Sequence, residues 1–163
     1  KPSDQPEWVK EVGFGRQSVA ITLENCYDDW CMSILAKELN KEEDYQYYLK
    51  RALNYQNVFD TATGFMRPKT ADGRWIEPFD PIWSGGQGRR EFYTENNGWN
   101  YTWYVPHDVE GLIGLMGGRE KFTDKLQTMF ETNVPLYQKY DFLKQYPDMT
   151  GWIGMYSHGN EIT

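Results

Sequence analysis

Two stretches of the chain place carboxylates beside amides and aromatic rings in glycine-punctuated sequence. The first is Tyr93-Thr94-Glu95-Asn96-Asn97-Gly98-Trp99-Asn100-Tyr101-Thr102-Trp103, where a Gly/Pro-rich region gives way to helical patterning. Glu95 has two readings there. As a charge near a helix N-terminus it would stabilise the helix through the macrodipole. Packed against Tyr93 or Trp99 it could be a catalytic acid, its pKa raised by apolar walls. The second stretch is Tyr156-Ser157-His158-Gly159-Asn160-Glu161. An amide oxygen beside a carboxylate offers the hard ligands that calcium takes. His158 could bond a substrate hydroxyl or serve as an ordinary satisfied polar residue.

Other chemistry is excluded or weak. Asp28 and Asp29 are adjacent on a predicted helix, so they point about 100° apart and cannot share a substrate; an exposed helix face is the expectation. No nucleotide-binding fingerprint, P-loop or Ser/His/Asp series is present. Cys26 and Cys31 lie about 140° apart around a helix and roughly 7.5 Å along it, too far for a bridge, so both are expected to be buried thiols. A zinc site would need further ligands. Asn100-Tyr101-Thr102 matches a glycosylation sequon but falls in a predicted helix.

The elements that must carry these residues read as helices. Val19, Leu23, Cys26, Trp30, Ile34 and Leu35 recur at helical spacing after Ser18. A second helix is predicted over 41–60, with Asn40 as N-cap, Glu42 and Glu43 in its first turn, and Tyr45, Tyr48, Leu49, Ala52, Tyr55 and Phe59 on its apolar stripe. A short connection makes the two an antiparallel pair. Residues 61–91 carry eight helix-breaking Gly and Pro among aromatics that want burial, which predicts a long ordered loop with a small hairpin around Asp72-Gly73. Helix returns near Asn97, restarts at Pro106, stops at Gly117-Gly118, and resumes from Arg119 to Glu131 with Phe122, Leu126, Met129 and Phe130 on one face. A short helix is predicted over 136–145. With no strand series visible, the fold class is all-α.

Composition bounds the rest. One domain's worth of chain, 163 residues, carries 17 Lys+Arg against 24 Asp+Glu, and a net charge of −7 argues against a sequence-independent nucleic-acid binder. Aromatics at 17% serve core packing and offer platforms for sugar rings. No apolar run reaches the roughly 18 residues of a membrane span. Residues 1–9 lack an initiator Met and an apolar signal stretch, the expectation being the interior of a longer chain.

Tyr27-Asp28-Asp29-Trp30, Phe65-Met66-Arg67-Pro68, Tyr93-Thr94-Glu95 through Trp103, Val105-Pro106-His107-Asp108-Val109-Glu110-Gly111-Leu112, Met116-Gly117-Gly118 and His158-Gly159-Asn160-Glu161 appear in that order. Together they resemble the calcium-dependent exo-α-mannosidases of glycoside hydrolase family ninety-two, over about residues 17–161. The family's enzymes are far longer, a β-sandwich followed by an (α/α)6 toroid. The resemblance implies that residues 1–163 are a single piece of that toroid: a partial ring of helix hairpins with the 61–91 loop over one end. By the family's pattern Glu95 is the general acid, Trp99 and His158 contact substrate, and Asn160 and Glu161 lie near the calcium. Ile162-Thr163 depart from the family's usual Pro-Ser continuation. The paired aspartates that act as base in the family lie further on. The expected reaction is inverting hydrolysis of terminal mannose from glycans, with the 163-residue piece inactive by itself and open to self-association. The resemblance also implies a periplasmic, cell-surface or secreted bacterial setting. Rival readings are a non-catalytic carbohydrate-binding or scaffold domain, and a toroid glycosidase of another specificity.

Overall fold

Ser18–Glu38 forms the long helix α1, and the way it ends decides how its partner begins. Asn40 takes a left-handed φ of 56°, which asparagine tolerates. The Lys41 amide then reaches back to the Ala36 carbonyl at 2.8 Å and the Asn40 amide to Lys37 at 3.0 Å, a Schellman closure. Asn40 therefore terminates α1 rather than capping the next helix as predicted. In the computed structural model the described residues are 17–70, 72–82, 92–94, 96–138 and 141–154.

Helix α2 (Glu42–Ala52) folds back antiparallel on α1, with three acidic residues in its first turn and Lys50 and Arg51 in its last, both favourable to the helix dipole. It stops earlier than predicted. A 3-10 turn (Leu53–Asn57) swings Tyr55 inward, and Phe59–Asp60 becomes strand β1. Strand β2 (Phe65–Met66) pairs antiparallel with it, Phe59 opposite Met66. The connecting turn is held by the Asp60 carboxylate, which accepts from the Ala62 amide and the Thr63 hydroxyl, both at 3.0 Å. The predicted hairpin beyond it is present: Lys69 bridges Trp75, and Gly73 supplies a φ of 87°.

Helices α3 (Gly98–Tyr101), α4 (Val109–Leu115) and α5 (Arg119–Glu131) follow. Helix α4 begins three residues after Pro106, because the Asp108 side chain caps it by accepting from the Gly111 amide at 3.0 Å. Gly117 and Gly118, at φ of 88° and 111°, stop it as predicted. Strands β3 (Asn133–Pro135) and β4 (Thr150–Trp152) form a second antiparallel pair. Between them the predicted helix over 136–145 resolves into two 3-10 turns, Leu136–Gln138 and Asp141–Gln145. The all-α expectation is corrected accordingly: the described residues are mainly helical, with two small two-stranded sheets among them.

Two apolar clusters hold these elements. One joins Val19, Leu23 and Cys26 of α1 to Tyr55, Phe59, Met66, Tyr93, Val105 and Leu112. The other groups Phe65, Trp99, Met129 and Ile153. The buried face of α1 differs from the predicted stripe near its C-terminus. Asp29, Ser33 and Ala36 are buried, while Ile34 and Leu35 are 44% and 51% exposed. Asp29 is inside because it accepts a 2.9 Å hydrogen bond from Arg51 across the α1–α2 hairpin. Cys26 is buried and Cys31 exposed, and neither is bridged, so only one of the two expected buried thiols is buried.

Candidate active site

The residues on either side of Glu95 are anchored from several directions. The Phe92 carbonyl accepts from the first amides of α1, Val19 and Ala20, at 3.1 and 3.2 Å. Tyr93 is 4% exposed, and its hydroxyl donates to the Met66 carbonyl at 2.6 Å. Burial pushes that phenol well above its usual range. The Thr94 hydroxyl donates to Gln17 at 2.6 Å. Asn97, fully buried, caps α3 by accepting from the Asn100 amide at 3.2 Å and donates its own amide to the Ile82 carbonyl at 3.1 Å. Glu95 itself lies outside the described residues.

Downstream, Thr102 closes the same knot. Its hydroxyl accepts from the Met66 amide at 3.1 Å and donates to the Gly98 carbonyl at 2.6 Å. One strand residue, Met66, thus offers its carbonyl to Tyr93 and its amide to Thr102. The strand is fixed from below by Arg67, which is 4% exposed and donates to Asp60 at 2.7 Å, Glu77 at 2.5 Å and the Ile76 carbonyl at 3.2 Å. Its guanidinium also lies 4.4 Å from the Phe79 ring centroid.

Trp99 is 9% exposed and meets Phe65 edge-on at 4.9 Å. Lys125 places its ammonium 3.2 Å from the Phe65 ring centroid and 4.5 Å from that of Trp99. Burial lowers the Lys125 amine to about 8. Trp99, Phe59, Gly64, Lys121 and Lys125 line part of a cleft of about 390 Å³. The Trp99 indole nitrogen is buried without a hydrogen-bond partner among the described residues. The ring is therefore a core aromatic that also forms a cleft wall.

His158, Asn160 and Glu161 lie outside the described residues. The segment leading to them is tied to α3: Asn100 Nδ2 donates to the Gly154 carbonyl at 2.7 Å. That nitrogen is the atom a glycan would need, so the sequon at Asn100 is occupied by a structural bond. Among the described residues no group of three or more His, Cys, Asp or Glu could hold a metal ion. The Val105–Leu112 motif is structural. Its His107 ring bonds the Ala52 carbonyl at 3.0 Å, and Asp108 accepts from Tyr55 at 2.7 Å, docking α4 on the α1–α2 hairpin. Burial and the Asp108 bond push the Tyr55 phenol up to about 12.

Sequence reasoning missed Thr102, Asn100 and the Arg67–Asp60 pair as organisers of the site. Each is a polar residue inside an apolar stretch, and nothing in local patterning distinguishes a buried polar partner from an exposed one.

The sequence matches the glycosyl hydrolase family 92 catalytic domain over residues 3–163, and the chain belongs to that family. It is similar to the family GH92 α-mannosidase BT3965 from Bacteroides thetaiotaomicron, whose structure was also solved with mannoimidazole. Against that complex the identity is 39% and the TM-score 0.73, over 90% of this chain and 19% of the other. It is similar to the inverting mannosidase BT2199 from the same organism at 36% identity and a TM-score of 0.64, covering 82% of this chain and 18% of that one. An uncharacterized secreted glycosidase of Arthroderma benhamiae is 33% identical, over 76% of this chain and 18% of the relative. The chain thus spans less than a fifth of the length of these relatives. No helix among the described residues is long and apolar enough to cross a membrane.

Proposed function

We propose that the chain is a segment of an inverting exo-acting α-mannosidase that removes terminal mannose from glycans. The observation that carries this reading is its 39% identity and TM-score of 0.73, over nine-tenths of the chain, with an α-mannosidase solved with mannoimidazole. Inversion needs an acid on the leaving oxygen and a base activating water from the opposite face. Glu95 is the acid in this proposal. The bland alternative, a charge stabilising its helix, loses weight: α3 is four residues long and Asn97 already caps it. The base would be supplied by the family's paired aspartates further along the parent chain, so the 163 residues alone would be inactive.

Trp99 and His158 would contact substrate, His158 beside the leaving-group sugar. Calcium would be held near Asn160 and Glu161. Their amide and carboxylate oxygens suit that ion, but two residues supply too few of the six to eight ligands it takes. When bound, the ion would engage the sugar hydroxyls. The helix hairpins would form part of an (α/α)6 toroid. The exposed Met32, Ile34, Leu35 and Leu39 would meet neighbouring helices of the ring, or another copy when the piece stands alone. The setting would be secreted, cell-surface or periplasmic, in line with the secreted description of the Arthroderma relative.

The test is E95Q in the complete catalytic domain. Glutamine keeps the shape and cannot give up a proton, so mannobiosides should slow by about 10²–10⁴-fold. Aryl mannosides with acidic phenols should lose far less. Equal losses on both substrate classes, or none, would remove Glu95 from the role of acid.

A further inference from the structure

We propose that Lys125 is a carbonyl-capture site: its amine, set in the cleft between the β1–β2 turn and α5, condenses reversibly with a small hydroxyaldehyde, the group that open-chain aldoses carry. The site does not depend on Glu95 being the acid. Lys125 stands in the second turn of α5 and lines the cleft of about 390 Å³. Its Nζ reaches the opposite wall, where a Cβ at Gly64 would lie 3.6 Å away. Gly64 has no side chain, so that approach stays open. The same nitrogen rests on two rings, 3.2 Å from the Phe65 centroid and 4.5 Å from that of Trp99.

This amine has no counter-charge. Among the described residues Lys125 enters no ion pair, although Arg51, Arg67, Arg74 and Arg119 each find a carboxylate. The other charged groups lining the cleft, Lys121 and Asp124, both belong to α5. The facing turn presents Thr61, Thr63 and Gly64, and its Asp60 carboxylate is taken up by Arg67, Ala62 and Thr63. From α3 and the end of α4 come Trp99, Leu115 and Met116, none of them charged. The ring faces attract a cation but also exclude water, and burial brings the amine down to about 8 from 10.5.

A lysine desolvated by an apolar pocket presents a neutral, nucleophilic amine to carbonyl compounds. The Nζ lone pair attacks the aldehyde carbon, and the C–N bond forms as the carbonyl π bond opens. A proton passes from nitrogen to oxygen, and loss of one water leaves the imine. No oxidant or reductant takes part, and hydrolysis returns the free amine. Phe59 and Trp99 offer apolar walls to the carbon chain, and the Thr61 hydroxyl offers a partner to a hydroxyl of the aldehyde. At pH 7 an amine of pKa 8 is neutral about one time in ten, and one of pKa 10.5 about once in three thousand. Lower basicity gives back part of that advantage.

The experiment incubates the complete catalytic domain with glyceraldehyde and cyanoborohydride at pH 7. The reductant fixes each imine as a stable secondary amine, and peptide mass spectrometry follows each lysine separately. Lys125 should be modified at least ~10-fold faster than the exposed Lys121 of the same cleft. Its rate should saturate with glyceraldehyde, and glycerol, which has the hydroxyls without the carbonyl, should slow it. K125R keeps the positive charge and should lose this adduct while the other lysines react as before. Modification of Lys125 no faster than that of Lys121 overturns the proposal. A rate that climbs linearly without saturation, indifferent to glycerol, overturns it too, because it describes a reactive amine without a binding site. If K125R does not fold, the mapping and saturation measured on the unmutated domain decide the matter alone.

Discussion

Asn100 donates from its side-chain nitrogen to the Gly154 carbonyl at 2.7 Å, joining the helix that follows Glu95 to the strand end that leads to His158. The bond ties the first of the stretches singled out for chemistry to a backbone position 54 residues further along the chain. Gly154 has no room for a side chain: a Cβ there would lie 2.5 Å from Met129 and 2.7 Å from Trp152. The backbone passes this close because the second apolar cluster closes over it.

N100A should therefore leave a buried carbonyl unpaired, at a cost of about 1–3 kcal/mol. Amide exchange at Ile153 and Gly154, which bond the Thr132 and Met129 carbonyls at 2.7 and 3.3 Å, should accelerate with it. Thermal unfolding and hydrogen exchange of the complete domain check this. Unchanged exchange at both amides would show that the strand end is held without Asn100.

The Arg67–Asp60 pair makes a sharper prediction, since the two side chains are 5% and 6% exposed. R67M strands the Asp60 carboxylate without its cation and should cost about 3–5 kcal/mol. The double variant R67M/D60L removes both charges and should recover part of that loss. Chemical denaturation of the three proteins measures the difference. A double variant less stable than R67M would mean that the hydrogen bonds to Ala62 and Thr63 outweigh the stranded charge.

The same carboxylate sets a pH dependence. Burial acts to raise the Asp60 pKa, but the bonds from Arg67, Ala62 and Thr63 outweigh it, and the net shift is downward from 3.8. A carboxylate depressed on folding contributes stability that is fully present above its unfolded value and is lost as pH falls through the folded one. Stability should therefore decline as pH drops below about 3.8. D60N, which cannot titrate, should show a shallower decline over that window in parallel denaturation series.

Much of the helical framework was legible in the residues, and the exceptions share a cause. Helix α5 has the bounds its apolar spacing predicts, and Gly117-Gly118 stops α4 where expected. Asn40 closes α1 instead of opening α2, a difference the sequence does not show because a capping asparagine and a left-handed one look alike; the bonds from Lys41 to Ala36 and from Asn40 to Lys37 distinguish them. Ile34 and Leu35 fit the apolar stripe of α1, yet Asp29 and Ser33 take the interior because Arg51 reaches Asp29 across the hairpin. Local hydropathy cannot register a partner 22 residues away. Tyr93–Trp103 stands out in the sequence as a motif, while the bond from Met66 to Thr102 beside it is made only by the folded chain.

Two glycines of α4 should respond to alanine in opposite directions. Alanine in a helix interior normally stabilises by about 0.5–1 kcal/mol relative to glycine. Gly114 has nothing within 4 Å of where a Cβ would stand, so G114A should show that gain. At Gly111 a Cβ would run into the Asp108 carboxylate and the Tyr55 hydroxyl. Those two groups bond each other at 2.7 Å and dock the start of α4 on the 3-10 turn after α2, so neither can yield cheaply. G111A should lose about 1–3 kcal/mol through overpacking. Thermal denaturation decides it: a stabilised G111A would show that the Tyr55–Asp108 contact adjusts without cost.

Calcium offers the last separation between this piece and the enzyme proposed for it. The family resemblance points to Asn160 and Glu161, which offer one amide carbonyl and one carboxylate. An ion that takes six to eight oxygens cannot be held tightly by these two residues. Titration calorimetry on the 163-residue chain should therefore show weak calcium binding or none, whereas the complete catalytic domain should bind one ion tightly. Chelation of the complete domain should abolish hydrolysis and lower its melting temperature, and added calcium should restore both. A tight stoichiometric site in the isolated chain would mean that its own oxygens complete the coordination. Full activity in the presence of a strong chelator would remove calcium from the proposed function.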